Sequence, residues 1–153
     1  MVFTADMKDL LLLFNQRQVE YVLVGGYAVN YYGYNRSTQD IDIFVRPSPE
    51  NAQRIVSALE KFGFGSDDVP LDYFLSEGQA IHIGMEPNRI DLLTGLKGKS
   101  FADIFDGACI TEAEGISFRI ISIQHLLCIK RCSTRKKDQA DAEELENVLR
   151  SKK

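Results

Sequence analysis

Apolar residues recur along this chain in two rhythms. From Ala5 to Gln18, Met7, Leu10, Leu11 and Phe14 fall on one face at helical spacing. Thr4 is placed to cap that helix and Asp6 lies in its first turn. A second stripe of Ile55, Val56, Leu59 and Phe62 follows Ser48-Pro49, and Gly63 is suited to the stop just beyond it. Elsewhere the runs are shorter and lack the helical period. Tyr21–Val24, Asp40–Val45, Ala80–Met85 and Arg89–Leu93 are apolar or β-branched and predict strands. The last two flank Glu86-Pro87-Asn88 and predict a hairpin, and Cys109–Thr111 and Ser117–Ile121 predict another pair around Glu114-Gly115. Short helices are expected over Tyr27–Tyr32, Leu71–Ser76 and Phe101–Phe105, with two closing helices near 122–132 and 137–150. The order predicts an α/β (α+β) fold: a mixed sheet of about five strands flanked by helices, with a C-terminal helical pair. Nothing reads as a linker, so residues 1–153 are expected to form a single domain.

Composition narrows the function classes. The 153 residues are 44% apolar and 26% charged, as in an ordinary globule able to bury roughly 70% of its unfolded surface. A net charge of −4 supplies no global field for nucleic acid. Three cysteines, an odd number without CxxC spacing, argue against a disulfide scaffold and fit a reduced, cytoplasmic setting. The run Leu10–Phe14 is too short for a secretory signal or a membrane span, so no membrane partner is expected.

The candidate chemistry lies in three carboxylates. Asp40 and Asp42 sit in DIDIFV, and alternate strand residues share a face, so the two acids stand side by side while Ile41 and Ile43 face the core. Like charges that close raise each other's pKa, and a divalent cation relieves the conflict. Oxygen-only donors favour Mg2+, with Mn2+ the alternative. Asp91, in RIDLL, is a third acid embedded in an apolar strand. Three such carboxylates on neighbouring strands suit two Mg2+ ions and an in-line phosphoryl displacement. An EF-hand is excluded, because Phe44 and Val45 fall where that loop needs an oxygen ligand and a glycine.

Gly25-Gly26 follows a strand and opens a helix, where backbone N–H groups can meet a phosphate. Neither a P-loop nor a dinucleotide fingerprint is present. Arg36, Ser37 and Thr38 lie between the glycines and the acid pair and add a cation and two hydroxyls. His125, Cys128 and Cys132 share a helix face but lack a fourth zinc ligand, and buried small cysteines are the commoner outcome. His82 reads as a surface or satisfied residue on a strand close to that of Asp91. Tyr27, Tyr31, Tyr32 and Tyr34 read as packing residues, with base stacking the alternative. Lys130, Arg131, Arg135, Lys136 and Lys137 form the densest basic run, usually a solvated face.

The order GG…RSTQDIDIFV…RIDLL resembles the nucleotidyltransferase superfamily that includes DNA polymerase β, and in particular its small bacterial members: minimal and antibiotic nucleotidyltransferases and the abortive-infection toxin-like branch. The resemblance covers residues 20 to 145 or so. It implies that Gly25 and Gly26 bind nucleotide phosphates and that Asp40, Asp42 and Asp91 are catalytic and hold the metals. The segment IKRCSTRKKDQADAEEL is similar to a C-terminal pattern of the toxin-like branch, which implies that Lys130 or Lys137 contacts the triphosphate and that Asp138 and Asp141 orient those lysines. Where many transferases carry serine this chain has Gly26, so that hydroxyl contact is absent. The expectation is a Mg2+-dependent transferase moving a nucleoside monophosphate from a nucleoside triphosphate, such as ATP, to an acceptor hydroxyl on a tRNA end, a protein or a small molecule. The rival is an inactive nucleotidyltransferase-fold binding protein with a cognate antitoxin. A DxD glycosyltransferase fits poorly in so short a chain.

Overall fold

A computed structural model describes residues 2–33, 40–65 and 67–151. Helix α1 (Ala5–Gln16) is capped by Thr4, whose hydroxyl accepts from the Met7 N–H at 3.2 Å. It leads into strand β1 (Tyr21–Val24) and, with no intervening loop, helix α2 (Gly25–Tyr31). Strand β2 (Ile41–Val45) precedes helix α3 (Pro49–Phe62), which is capped by Ser48 and has proline in its first turn. A short 3-10 turn (Leu71–Phe74) leads to strands β3 (Ala80–Ile83) and β4 (Ile90–Leu93). Helix α4 (Phe101–Gly107), strands β5 (Cys109–Ala113) and β6 (Ile116–Ile120), and helices α5 (Ile123–Arg131) and α6 (Lys136–Ser151) complete the order.

The fold class is as expected, with six strands rather than about five. They run β3-β4-β2-β1-β6-β5 in one sheet. Pairs β1/β2, β3/β4 and β5/β6 are antiparallel, and β2/β4 and β1/β6 are parallel. All four residues of β1 are buried, so both faces of the sheet centre are covered. The edge strands β3 and β5 are largely exposed. In β2 only Asp42 departs from full burial.

The helices grip the sheet through apolar and polar contacts. Met7, Leu10, Leu11 and Phe14 of α1 and Ile55 and Leu59 of α3 enter the core. Asn51, 1% exposed, ties the start of α3 to the sheet: its Oδ1 accepts from the Glu20 N–H at 2.7 Å, and its Nδ2 donates to the Glu20 and Arg46 carbonyls, each at 3.0 Å. Of the tyrosines after Gly26, Tyr27 and Tyr32 pack, in line with the simpler expectation, while Tyr31 is exposed. The Tyr27 hydroxyl lies 3.3 Å from Met7 Sδ, and Tyr32 donates to the Ile121 carbonyl at 2.6 Å. Tyr34 lies outside the described residues. Among those residues no helix is long and apolar enough to cross a membrane, and no three His, Cys, Asp or Glu side chains are grouped to hold a metal, which includes the His125 helix face.

Candidate active site

Sheet register assembles the site. Parallel pairing of β2 with β4 sets Asp42 directly beside Asp91, and Ile41 beside Ile90. The residues just before those pairs, Asp40 and Arg89, are therefore neighbours as well: the Arg89 N–H donates to Asp40 Oδ1 at 2.9 Å. Antiparallel pairing of β3 with β4 puts His82 on the other side of Asp91, and pairing of β1 with β2 puts Val24 beside Asp42. One row across the sheet thus reads His82, Asp91, Asp42, Val24, and Gly25 comes next in the chain.

That sequence explains the glycine. Gly25 opens α2 with φ +70°, a conformation side chains resist. A Cβ there would also lie 2.2 Å from Asp42 Oδ2. The helix starts at Gly25, two residues before the expected Tyr27, so the glycines form its first turn rather than a loop.

The three carboxylates experience different surroundings. Burial pushes Asp42 up to about 6; Asp91 and Asp40 push the same way, and Lys130 and Arg89 oppose them only in part. Among the described residues none donates a hydrogen bond to its carboxylate. Asp91 is 6% exposed, and burial alone would raise it too. Its hydrogen bonds outweigh burial and hold it below the usual carboxylate range. Arg89 grips it with both arms, Nε to Oδ1 at 2.7 Å and Nη2 to Oδ2 at 3.1 Å, and His82 Nδ1 lies 2.7 Å from Oδ1. The same guanidinium reaches Glu86 at 3.2 Å and Asp40 at 3.8 Å.

The opposite wall comes from α5, α6 and their connection. Lys130, 8% exposed, lies 2.9 Å from Asp138 and 3.1 Å from Asp141. Ser133 donates to Asp138 at 2.6 Å and Arg135 Nε does so at 3.0 Å. Burial acts to raise Asp138, but these donors bring it down to about 2. Asp138 and Asp141 hold Lys130, and Lys130 is consequently not a freely extended cation.

Asp40, Asp42, Asp91, Gly25, Gly26, Lys130 and Lys137 all line one cavity of about 810 Å3, at the upper part of the usual range for small-molecule sites. Leu93, Leu96, Leu126 and Ile129 give it an apolar side, and Lys97 and Glu86 also line it. Arg36, Ser37 and Thr38 lie outside the described residues. Arg89 and the His82–Asp91 contact were not anticipated from sequence. The available signal was Arg89 standing two residues before Asp91, hence on its face of the strand.

Similar folds occur among solved nucleotidyltransferases. The lincosamide antibiotic adenylyltransferase LnuA, with lincomycin bound, superposes with a TM-score of 0.57 at 18% identity, covering 95% of this chain and 98% of the other. ANT(2")-Ia in complex with adenylyl-2"-tobramycin gives 0.51 at 14% identity, covering 95% and 93%. An antigenic nucleotidyltransferase-like protein from Paracoccidioides brasiliensis gives 0.55 at 12% identity, covering 94% and 74%. No curated protein matches the chain by sequence. Residues 2–150 match the family model described as nucleotidyltransferase of unknown function (DUF6036). The chain therefore belongs to that family of nucleotidyltransferases.

Proposed function

We propose that this nucleotidyltransferase depends on Mg2+, with Mn2+ able to substitute, and moves a nucleoside monophosphate from a triphosphate such as ATP to the hydroxyl of a small-molecule acceptor, releasing pyrophosphate. The observation that carries the reading is the single cavity where Asp40, Asp42 and Asp91 face Gly25, Gly26 and Lys137. The donor set fits a hard divalent cation: all the donors are oxygens, and Asp42 is a half-buried carboxylate pushed up to about 6 by burial and acidic neighbours. Asp40 and Asp42 would hold the ion, with Asp91 beside them. When bound, it would supply positive charge where charge develops on the transferring phosphoryl group.

The chain's own residues account for the rest. Gly25, lacking a side chain, leaves room for phosphate beside Asp42. Lys137 and Arg135 supply cations at the mouth. The acceptor hydroxyl attacks the α-phosphorus and gives up its proton to water in the open cavity, the bond from that phosphorus to the bridging oxygen breaks, and pyrophosphate leaves. Asp91 is a weak base while Arg89 and His82 hold it ionised, but it can accept a hydrogen bond and so orient the hydroxyl. A small acceptor is favoured over a tRNA end because net charge −4 gives no long-range attraction for a polyanion. The antibiotic acceptors named with two similar folds point the same way.

The test is incubation with labelled ATP, Mg2+ and fractionated cell extract. Label is expected in the small-molecule fraction, and Asp42→Ala should abolish it while circular dichroism stays unchanged. Undiminished labelling by Asp42→Ala would overturn the assignment. Gly26 in place of serine favours a second reading, a binding protein without turnover, partnered with an antitoxin; calorimetry with Mg2+ and ATP giving no heat would select it.

A further inference from the structure

Resting on the transferase reading above, we infer that the acceptor site runs past the carboxylates into a second, adjoining cavity, and that the acceptor is an elongated alcohol with an apolar ring remote from the reacting hydroxyl. The row across the sheet sets the direction. On that reading its glycine end, at β1 and α2, takes the phosphates, which leaves the β4 end to the acceptor. Alternate strand residues share a face, so Leu93 follows Asp91 and Phe44 follows Asp42, and the register pairs Phe44 with Leu93. The surface beside the carboxylates therefore turns apolar one step along the strands, about 7 Å away. Leu96 and Lys97, just past β4, line the large cavity and also a second one of about 300 Å3. That volume is at the lower end for a small-molecule site and suits a single ring. One turn divides the two cavities, and in it the Lys99 N–H donates to the Leu96 carbonyl at 3.0 Å.

The second cavity is built before any ligand arrives. Thr94, 1% exposed, donates its hydroxyl to the Ser76 carbonyl at 2.8 Å and accepts from the Gln79 N–H at 2.7 Å. Its own N–H donates to the Gln79 carbonyl at 2.9 Å. Gly95 then rests against Gly78, where a Cβ would lie 2.8 Å from the Gly78 nitrogen. These contacts pin residues 76–79 to the end of β4 and fix one wall. Phe44 and Phe101, both buried, meet edge to face with ring centres 5.0 Å apart and form the apolar side. Glu77, Lys97 and Lys99 also line the cavity and supply its charge. A ring can add to the Phe44–Phe101 pair while those charges stay in water. A compact polyol reaching Asp91 would leave the aromatic side uncovered and gain nothing from it.

The probe is a phenylhexanol with ring and hydroxyl at opposite ends of its chain, compared with the isomer that bears both on one carbon. The two contain the same atoms, so a difference in affinity reports the separation of ring and hydroxyl rather than overall hydrophobicity. Binding to the full chain is followed by nuclear magnetic resonance titration. The extended isomer should bind about tenfold tighter, and its ring protons should show Overhauser contacts to Phe44 and Phe101. Lys99→Trp, which offers an indole to the second cavity, should bring the affinity ratio to about one. The Overhauser contacts decide the matter even if that variant fails to fold. Equal affinity of the two isomers, or ring contacts elsewhere on the protein, would overturn the inference and leave the transferase reading standing. Absence of label transfer from ATP to any small molecule would instead remove the acceptor role, while the isomer ratio still reads whether the second cavity takes a ring.

Discussion

Asp42→Asn should make this protein more stable. The wild-type carboxyl is pushed from 3.8 up to about 6, first by burial and then by Asp91 and Asp40. Two units correspond to about 3 kcal/mol, and water in the open cavity lowers the expected effect to about 2 kcal/mol. The sign follows from proton counting. Between pH 3.8 and 6 the folded chain holds this proton and the unfolded chain has lost it, so stability falls as pH rises through that window. Above about pH 6.5 the folded protein carries the full cost of the ionised form. The amide in Asp42→Asn has no charge to desolvate. In a chelator at pH 7.5, urea denaturation should show the variant about 2 kcal/mol more stable, or about 4–8 °C higher in Tm for a chain of this size. At pH 4 the advantage should shrink towards zero. Saturating Mg2+ should reverse the ranking, because a ligand at a hundredfold its Kd adds about 2.7 kcal/mol to the wild type alone. A variant no more stable than wild type at pH 7.5 in chelator, or a gain that does not change from pH 4 to 7.5, would refute the charge argument.

Other perturbations separate the parts of the site. Gly25→Ala forces a side chain into φ +70° and onto Asp42 Oδ2, so it should cost about 2 kcal/mol or more and remove Mn2+ uptake measured by calorimetry. Asn51→Ala strands the Glu20 N–H and two carbonyls in the interior and should cost about 2–4 kcal/mol in urea denaturation, while Mn2+ uptake stays unchanged. Asp138→Ala leaves Lys130 buried with Asp141 as its remaining acid and should cost about 3 kcal/mol at pH 7. Because Asp138 is brought down to about 2, that difference should persist above pH 4 and fade as pH falls towards 2, which denaturation across that range checks.

The helices with strong period were legible in the sequence because burial alone explains them: α1 and α3 start and stop at their caps, Thr4, Ser48 and Gly63. The acids were legible too, since a charge inside an apolar run needs a reason. What escaped depends on register and on crossings between distant elements. A one-residue slip of β3 against β4 would turn His82 to the other face, and nothing local in Ile81-His82-Ile83 fixes the slip. Asn51 carries no sequence signal of its role: it lies in the first turn of α3, and α3 lands on the β1 entry and buries it. Lys130 belongs to a basic run that composition alone reads as a solvated face; only the family resemblance pointed to Asp138 and Asp141 as its partners, and it is α6 folding back along α5 that brings both acids onto that one lysine. Gly25 reads as the opening of a helix, but the close approach of Asp42, which with φ +70° leaves no place for a side chain, is not written in the local sequence.

Charge in this cavity is arranged asymmetrically. On the sheet side Arg89 and His82 compensate Asp91, and on the helix side Asp138 and Asp141 compensate Lys130. Both systems are closed in the protein as it stands, so both keep their geometry before any ligand arrives. Asp42 is different: it is hemmed in by Gly25, lies in register with Asp91, and gains only partial relief from Lys130 and Arg89. A cation that settles there lifts a strain already present in the fold, so part of its binding free energy is relief rather than new attraction. Making Asp42 easier to bury would weaken the grip on the ion, and tightening that grip would destabilise the empty fold. On the proposed metal-dependent reading, the same carboxylate would set the stability of the protein and its affinity for the ion, in opposite directions.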